Sequence, residues 1–222
     1  KTTALKHLLG QIKSSNKLYL DLERLDTRQL FNEPNYDNII RELEKAGLDF
    51  SQKVYLALDE IQLLPNITSV IKYLYDHYNI KFIVSGSSSF YLKNHFSESL
   101  AGRKTVYELT PLAFDEFLNF KEVKLPIRKR PFEFVTPFIY HRYLHYYDEY
   151  VKFGGFPEVA LAESMNERKK FLDDILHSYV LVDIQLVSDF KKIDELYKLI
   201  KLLASRAGNR LDYTHLSSIT GI

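Results

Sequence analysis

Along the first 120 positions, apolar residues alternate between helical and strand periods. Ala4, Leu5, Leu8, Leu9 and Ile12 recur at three- and four-residue spacing and predict an amphipathic helix over 2–13, with Gly10 near its end. KLYLDL at 17–22 reads as a strand running into Asp21 and Glu23. Ile39, Ile40, Leu43 and Ala46, closed by Gly47, predict a helix over 36–47 with a glycine stop. VYLAL at 54–58 is a short, nearly continuous apolar run ending at Asp59-Glu60, the pattern of a strand covered on both faces of a parallel sheet. Ile67, Val70, Ile71, Leu74 and Tyr75 predict a helix over 66–78, and KFIV at 81–84 a second buried strand, broken by Ser85-Gly86-Ser87-Ser88. TVYEL at 105–109 reads as one more strand before Pro111. Helices and apolar strands in this order predict an α/β domain, three layers deep, with a parallel sheet.

Past Phe120 the pattern changes. The basic, Pro-containing stretch KEVKLPIRKRPFEF separates the sheet-forming part from a helical one, with helices expected over 138–151, 156–163, 166–184 and 192–206 and breaks at Gly154-Gly155 and Gly208. The expected division is a core over 1–120, a helical region over 123–206 and a final segment, 207–222, in which Tyr213 to Ile222 could begin a short helix-turn-helix.

Composition narrows the function classes. With 45% apolar and 27% charged residues in 222, the chain can bury a core and is unlike a disordered polypeptide. Lys plus Arg number 30 against 29 acids, a net +1, so no global basic field calls for nucleic acid or an anionic membrane. The absence of cysteine excludes a disulfide scaffold, a Cys-ligated metal site and a thiol nucleophile. No apolar run approaches the roughly 20 residues of a membrane helix, and the opening Lys-Thr-Thr has no signal-peptide pattern. The expected setting is cytoplasmic, with no membrane partner.

Three polar clusters sit where an α/β domain does chemistry. Lys1-Thr2-Thr3 heads the first helix. In G-x-x-x-x-G-K-[ST], backbone N–H groups of a glycine loop wrap the phosphates, the Lys neutralises them and the next hydroxyl ligates Mg²⁺; taken alone, Lys-Thr-Thr is also any helix start capped by Thr. Asp59-Glu60 ends an apolar strand at the edge where open parallel sheets bind ligands. An Asp there can hold Mg²⁺ through its water and the Glu can polarise an attacking water, although two acids after a strand also make an ordinary solvated turn. Ser85-Gly86-Ser87-Ser88 either positions that water and reads the γ-phosphate, or caps a helix over 88–94.

Read in order, KTT, YLDLE, VYLALDEIQ and KFIVSGSSSF, with helices between them, the chain resembles the AAA-like P-loop ATPases of bacteria and archaea whose core is followed by a DUF4143-type region. The resemblance continues through SLAGRKTVYELTPLAFDEF and YVKFGGFPEVALAES, from Lys1 to at least Ser205. It implies a P-loop NTPase fold and Mg²⁺-dependent ATP hydrolysis that drives a conformational switch. Lys1 and Thr2, with Thr3 beside them, would be the phosphate-loop Lys and the Mg²⁺-ligating hydroxyl. Asp59 would be the acid behind the Mg²⁺ water, Glu60 the water-activating base, and Ser87 or Ser85 the sensor. Arg103 would reach a γ-phosphate in its own or a neighbouring subunit, or else pair with surface acids. Gly155-Phe156-Pro157 would touch bound nucleotide, Pro157 near the base, and also suits a Gly-Gly hinge with Pro in the first helical turn.

Two departures qualify the match. The glycine loop that should precede Lys1 is not among these residues, and family members continue through a winged helix, of which 207–222 looks like the first part, to a restriction-endonuclease-like region; the expectation is a fragment of a longer chain. The rival function is a regulator that binds nucleic acid or protein through its C-terminal helices, with the nucleotide domain a scaffold or inactive. An oligomer is compatible with either. His141 and His145, four apart, lack a third zinc ligand and read as a surface or packing pair. The tyrosine run from Tyr140 to Tyr150 has core spacing, and Arg128-Lys129-Arg130 reads as a solvated linker.

Overall fold

Three of the four expected strands form and pair in a computed structural model, which describes residues 1–86, 102–124, 136–178 and 193–220. Strands β1 (Lys17–Asp21), β2 (Val54–Asp59) and β3 (Ile80–Val84) lie parallel in the order β1-β2-β3. The register pairs Tyr19 with Ala57 and Ala57 with Ile83, and sets Asp21 beside Asp59. The stitching continues past the strands: Leu22 N–H donates to Asp59 O (3.1 Å), Ser85 N–H to Leu58 O (2.9 Å) and Ile61 N–H to Ser85 O (3.1 Å). The carboxyl-terminal edge of the sheet is thereby held as one rigid rim.

Side chains alternate across a sheet, and both sets are covered. Leu18, Leu20, Val54, Leu56, Leu58, Ile80 and Phe82 pack with Ile39, Ile40 and Leu43 of helix α3 (Tyr36–Lys45) and Val70, Ile71 and Leu74 of α4 (Ile67–His77). The other set, Tyr19, Tyr55, Ala57 and Ile83, packs on Leu5, Leu9 and Ile12 of α1 (Thr2–Gln11). Helices on both faces explain why VYLAL is continuously apolar. A short helix, α2 (Leu25–Phe31), was not expected; only Thr27 and Phe31 of its seven residues are buried, too few to mark a period.

Helix α1 is tied down at its carboxyl end. Lys17 Nζ donates to the carbonyls of Leu9 (3.0 Å) and Ile12 (2.6 Å), a cation on the negative end of the helix. Lys17→Met is expected to destabilise the fold by about 1 kcal/mol, seen as a lower urea midpoint at unchanged slope.

TVYEL does not form a strand. Val106, Tyr107 and Leu109 are 61%, 85% and 59% exposed, and no strand among the described residues pairs with them. β-propensity acts through cross-strand packing, and these residues lack it. The chain divides just there into two compact units, Lys1–Tyr107 and Glu108–Ile222. The division falls before residue 120 because Phe117 and Leu118, on α5 (Phe114–Phe120), pack with the helices that follow.

The second unit is helical: α6 (Pro137–Phe153), α7 (Pro157–Leu161), α8 (Met165–Ser178), α9 (Ile193–Ser205) and α10 (Tyr213–Thr220). Phe117, Leu118, Tyr143 and Ala160 form its core, and Tyr146 and Tyr150 pack against them, so three of the five tyrosines of the run face the core while Tyr140 and Tyr147 stay exposed. Glu149 of α6 lies 2.8 Å from Lys121 and 3.1 Å from Arg168, joining α6 to the end of α5 and to α8. The two glycines between α6 and α7 are needed for different reasons. Gly154 has φ 76° and ψ −173°, open to glycine almost alone. A Cβ on Gly155 would lie 2.2 Å from the backbone oxygen of Leu112.

Candidate functional site

The polar residues of the first unit converge on Asp59. It ends β2, is 1% exposed, and lies on the sheet face that α1 covers. Its carboxylate accepts from the hydroxyls of Ser85, at the end of β3, and Thr2, at the start of α1. Tyr19 of β1 donates to Oδ2 (2.8 Å), and the Glu60 N–H to Oδ1 (3.2 Å). Burial would raise this carboxyl, but the bonds from Ser85, Thr2, Tyr19 and the Glu60 N–H outweigh it and hold Asp59 below its ordinary value. It is an anion at neutral pH. Burial, followed by the bond to Asp59, pushes the Tyr19 hydroxyl upward, so that it remains a donor.

Lys1 and Thr2 reach the same rim. Lys1 Nζ donates to the carbonyl of Gly86 (3.0 Å), immediately after Ser85. The first N–H groups of α1 have no intrahelical partner, and no acidic side chain occupies its first turn, so its positive end opens beside Lys1. Thr3 is exposed and takes no part in the Asp59 cluster.

Glu60 is in the left-handed region, φ 52° and ψ 45°, uncommon for a residue with a side chain. The turn re-aims the chain from β2 into the 3₁₀ turn Ile61–Leu63, and Gln62, 5% exposed, donates its amide to Glu60 Oε2. Glu60 is itself half-buried at the rim.

Not every expected residue joins this cluster. Arg103 is 3.4 Å from Asp76 in the last turn of α4, beside the start of β3, whereas Asp59 and Ser85 lie at strand ends. The length of β3 separates these edges by roughly 13 Å. Pro157 opens α7 in the second unit, and Ser87 lies outside the described residues. Tyr19 and Gln62 carried no signal in the sequence, because a tyrosine in KLYLDL reads as any strand aromatic until the register places it two positions before the level of Asp59.

Residues 1–118 match the family model described as an AAA domain. The chain belongs to the AAA domain family. Its C-terminal part, 144–222, matches a domain of unknown function (DUF8612), which corrects the DUF4143 type named by the resemblance. Curated relatives include an uncharacterized protein of Methanocaldococcus jannaschii, 30% identical over 81% of this chain and 39% of its own length. An uncharacterized protein of Haemophilus influenzae is 27% identical over 93% of the chain and 48% of its own length. A second from M. jannaschii is 28% identical over 98% and 49%. The chain thus spans less than half the length of these relatives. No solved structure matches it.

An AAA-type domain binds nucleotide, and the donors present fit a nucleotide's metal. One buried carboxylate and one hydroxyl, all hard oxygen, suit Mg²⁺, which keeps its waters and shares its coordination with phosphates rather than entering an all-protein cage. Among the described residues no three His, Asp or Glu side chains gather as such a cage, and no helix is long and apolar enough to cross a membrane.

Proposed function

We propose that the N-terminal unit binds ATP with Mg²⁺ and hydrolyses its γ-phosphate, and that turnover serves as a conformational switch rather than as a source of product. The observation that carries this is the buried, anionic Asp59 at the rim of the parallel sheet, hydrogen-bonded to Thr2 at the positive end of α1, with Lys1 beside it.

In this assignment the Lys1 ammonium exchanges the Gly86 carbonyl for the β and γ phosphates, and the first N–H groups of α1 face the same anion. Thr2 and Asp59 would hold the metal, Thr2 by its hydroxyl and Asp59 by hydrogen bonding to its water. Mg²⁺, when bound, neutralises phosphate charge that builds as the bond to the leaving oxygen breaks. Glu60, aimed by its left-handed turn and steadied by Gln62, orients the attacking water and takes its proton. Ser85 reports phosphate occupancy to Asp59. Arg103 pairs with Asp76 far from its own Asp59, so a γ-phosphate within its reach would be a neighbouring copy's rather than its own.

The test is Lys1→Ala in the full-length protein. Affinity for a fluorescent ATP analogue with Mg²⁺ is expected to fall at least about tenfold, the loss of one charge-assisted contact, and phosphate release to fall with it. Wild-type protein that binds no ATP in Mg²⁺ would overturn the assignment.

A further inference from the structure

The Asp59 carboxylate is saturated. An ionised carboxylate offers about four lone-pair positions, and four protein donors meet Asp59: the hydroxyls of Thr2, Tyr19 and Ser85 and the N–H of Glu60. A metal-bound water can therefore reach Asp59 only if one of these donors leaves.

The four are not equally free to do so. Thr2 and Ser85 present their hydroxyls on a single side-chain torsion, so a change of χ1 rotamer releases either one. The Glu60 N–H is backbone, locked by the turn into Ile61. The Tyr19 hydroxyl sits at the end of a ring held on three sides. Its backbone is in register with Ala57, its ring packs in the Leu5, Leu9 and Ala57 cluster, and Lys6 Nζ lies 4.7 Å from the ring centroid. The fixed donors are divided between the carboxylate oxygens, Glu60 N–H on Oδ1 and Tyr19 on Oδ2.

We propose that Tyr19 is a positioning residue for the metal site: it clamps Oδ2 of Asp59, so that the carboxylate keeps its orientation while Thr2 or Ser85 gives way to a metal-bound water. The inference rests on the Mg²⁺–ATP assignment above and adds to it a residue of β1 that does not itself touch metal or nucleotide. Outer-shell partners of this kind typically control metal affinity by ten- to a hundredfold.

The experiment is a Mg²⁺ titration of fluorescent ATP binding by full-length wild type, Tyr19→Phe and Ser85→Ala, each repeated in EDTA. In Tyr19→Phe the Mg²⁺ concentration for half-maximal binding should rise about ten- to a hundredfold, while binding in EDTA stays at the wild-type level and shows that the fold is intact. Ser85→Ala should shift the Mg²⁺ requirement less, since its hydroxyl is one of the two that can leave. A wild-type Mg²⁺ requirement in Tyr19→Phe overturns the clamp and leaves ATP binding standing. An equal loss with Mg²⁺ and in EDTA makes Tyr19 a packing residue and also overturns it, as does a larger Mg²⁺ shift in Ser85→Ala. If wild type binds no nucleotide in Mg²⁺, the functional assignment and the clamp fall together.

Discussion

Glu60→Gln in the full-length protein is expected to bind ATP as wild type does and to release phosphate at least about a hundredfold more slowly, the scale of a lost general base. The substitution is nearly isosteric and leaves the left-handed backbone at φ 52° as it is. An amide oxygen can still accept from Gln62, so the turn keeps its internal bond. What disappears is the capacity to take a proton from water. Nucleotide affinity measured by fluorescence and turnover measured by phosphate release therefore separate, with the first unchanged and the second collapsed. Hydrolysis at the wild-type rate would remove Glu60 from the chemistry and leave it as a turn residue. Loss of binding and turnover together would indicate that the rim itself had been disturbed.

Gly155→Ala is expected to destabilise the helical unit by about 3 kcal/mol, at the upper end of overpacking effects. The added methyl would meet the Leu112 backbone at 2.2 Å from its oxygen, 2.9 Å from its nitrogen and 3.1 Å from its carbonyl carbon. None of these is the far end of a flexible side chain. The same backbone is held from both directions, since Leu112 N–H donates to Gly155 O (2.7 Å) and Tyr150 OH donates to Leu112 O (2.8 Å). The methyl can be accommodated only by breaking these bonds and lifting the segment before α5 off α6. Urea unfolding should show the loss, and amide exchange should place it in α5, α6 and α7. Near wild-type protection there would mean that the segment moves aside cheaply and that the close approach is not required.

Much of the fold was open to a reader of the sequence because its strands are covered on both faces. Such strands leave unbroken apolar runs, and VYLAL and KFIV were found within a residue or so of β2 and β3. Helices α1, α3 and α4 were found for a related reason, each burying one stripe at helical spacing. Where burial is slight the signal vanished: α2 buries two residues, and TVYEL alternates correctly but has no strand beside it. Packing divides the chain after Tyr107, whereas the family match runs to 118, close to the expected boundary at 120. The apolar residues of α5 announce a helix without announcing which unit it joins, and Phe117 and Leu118 go with Tyr143 and Ala160.

By itself, the sequence determined the α/β class of the first unit, the helical character of the second and the placement of Asp59-Glu60 at a strand end, because each follows from local periodicity and from where an apolar run stops. Tertiary structure alone decided that Tyr19, 40 positions away, donates to Asp59, that Arg103 pairs with Asp76 at the opposite edge, and that Gly155 has no room for a side chain. Those outcomes depend on strand register and on backbone approach between distant segments, and neither quantity is written in the spacing of residues along the chain.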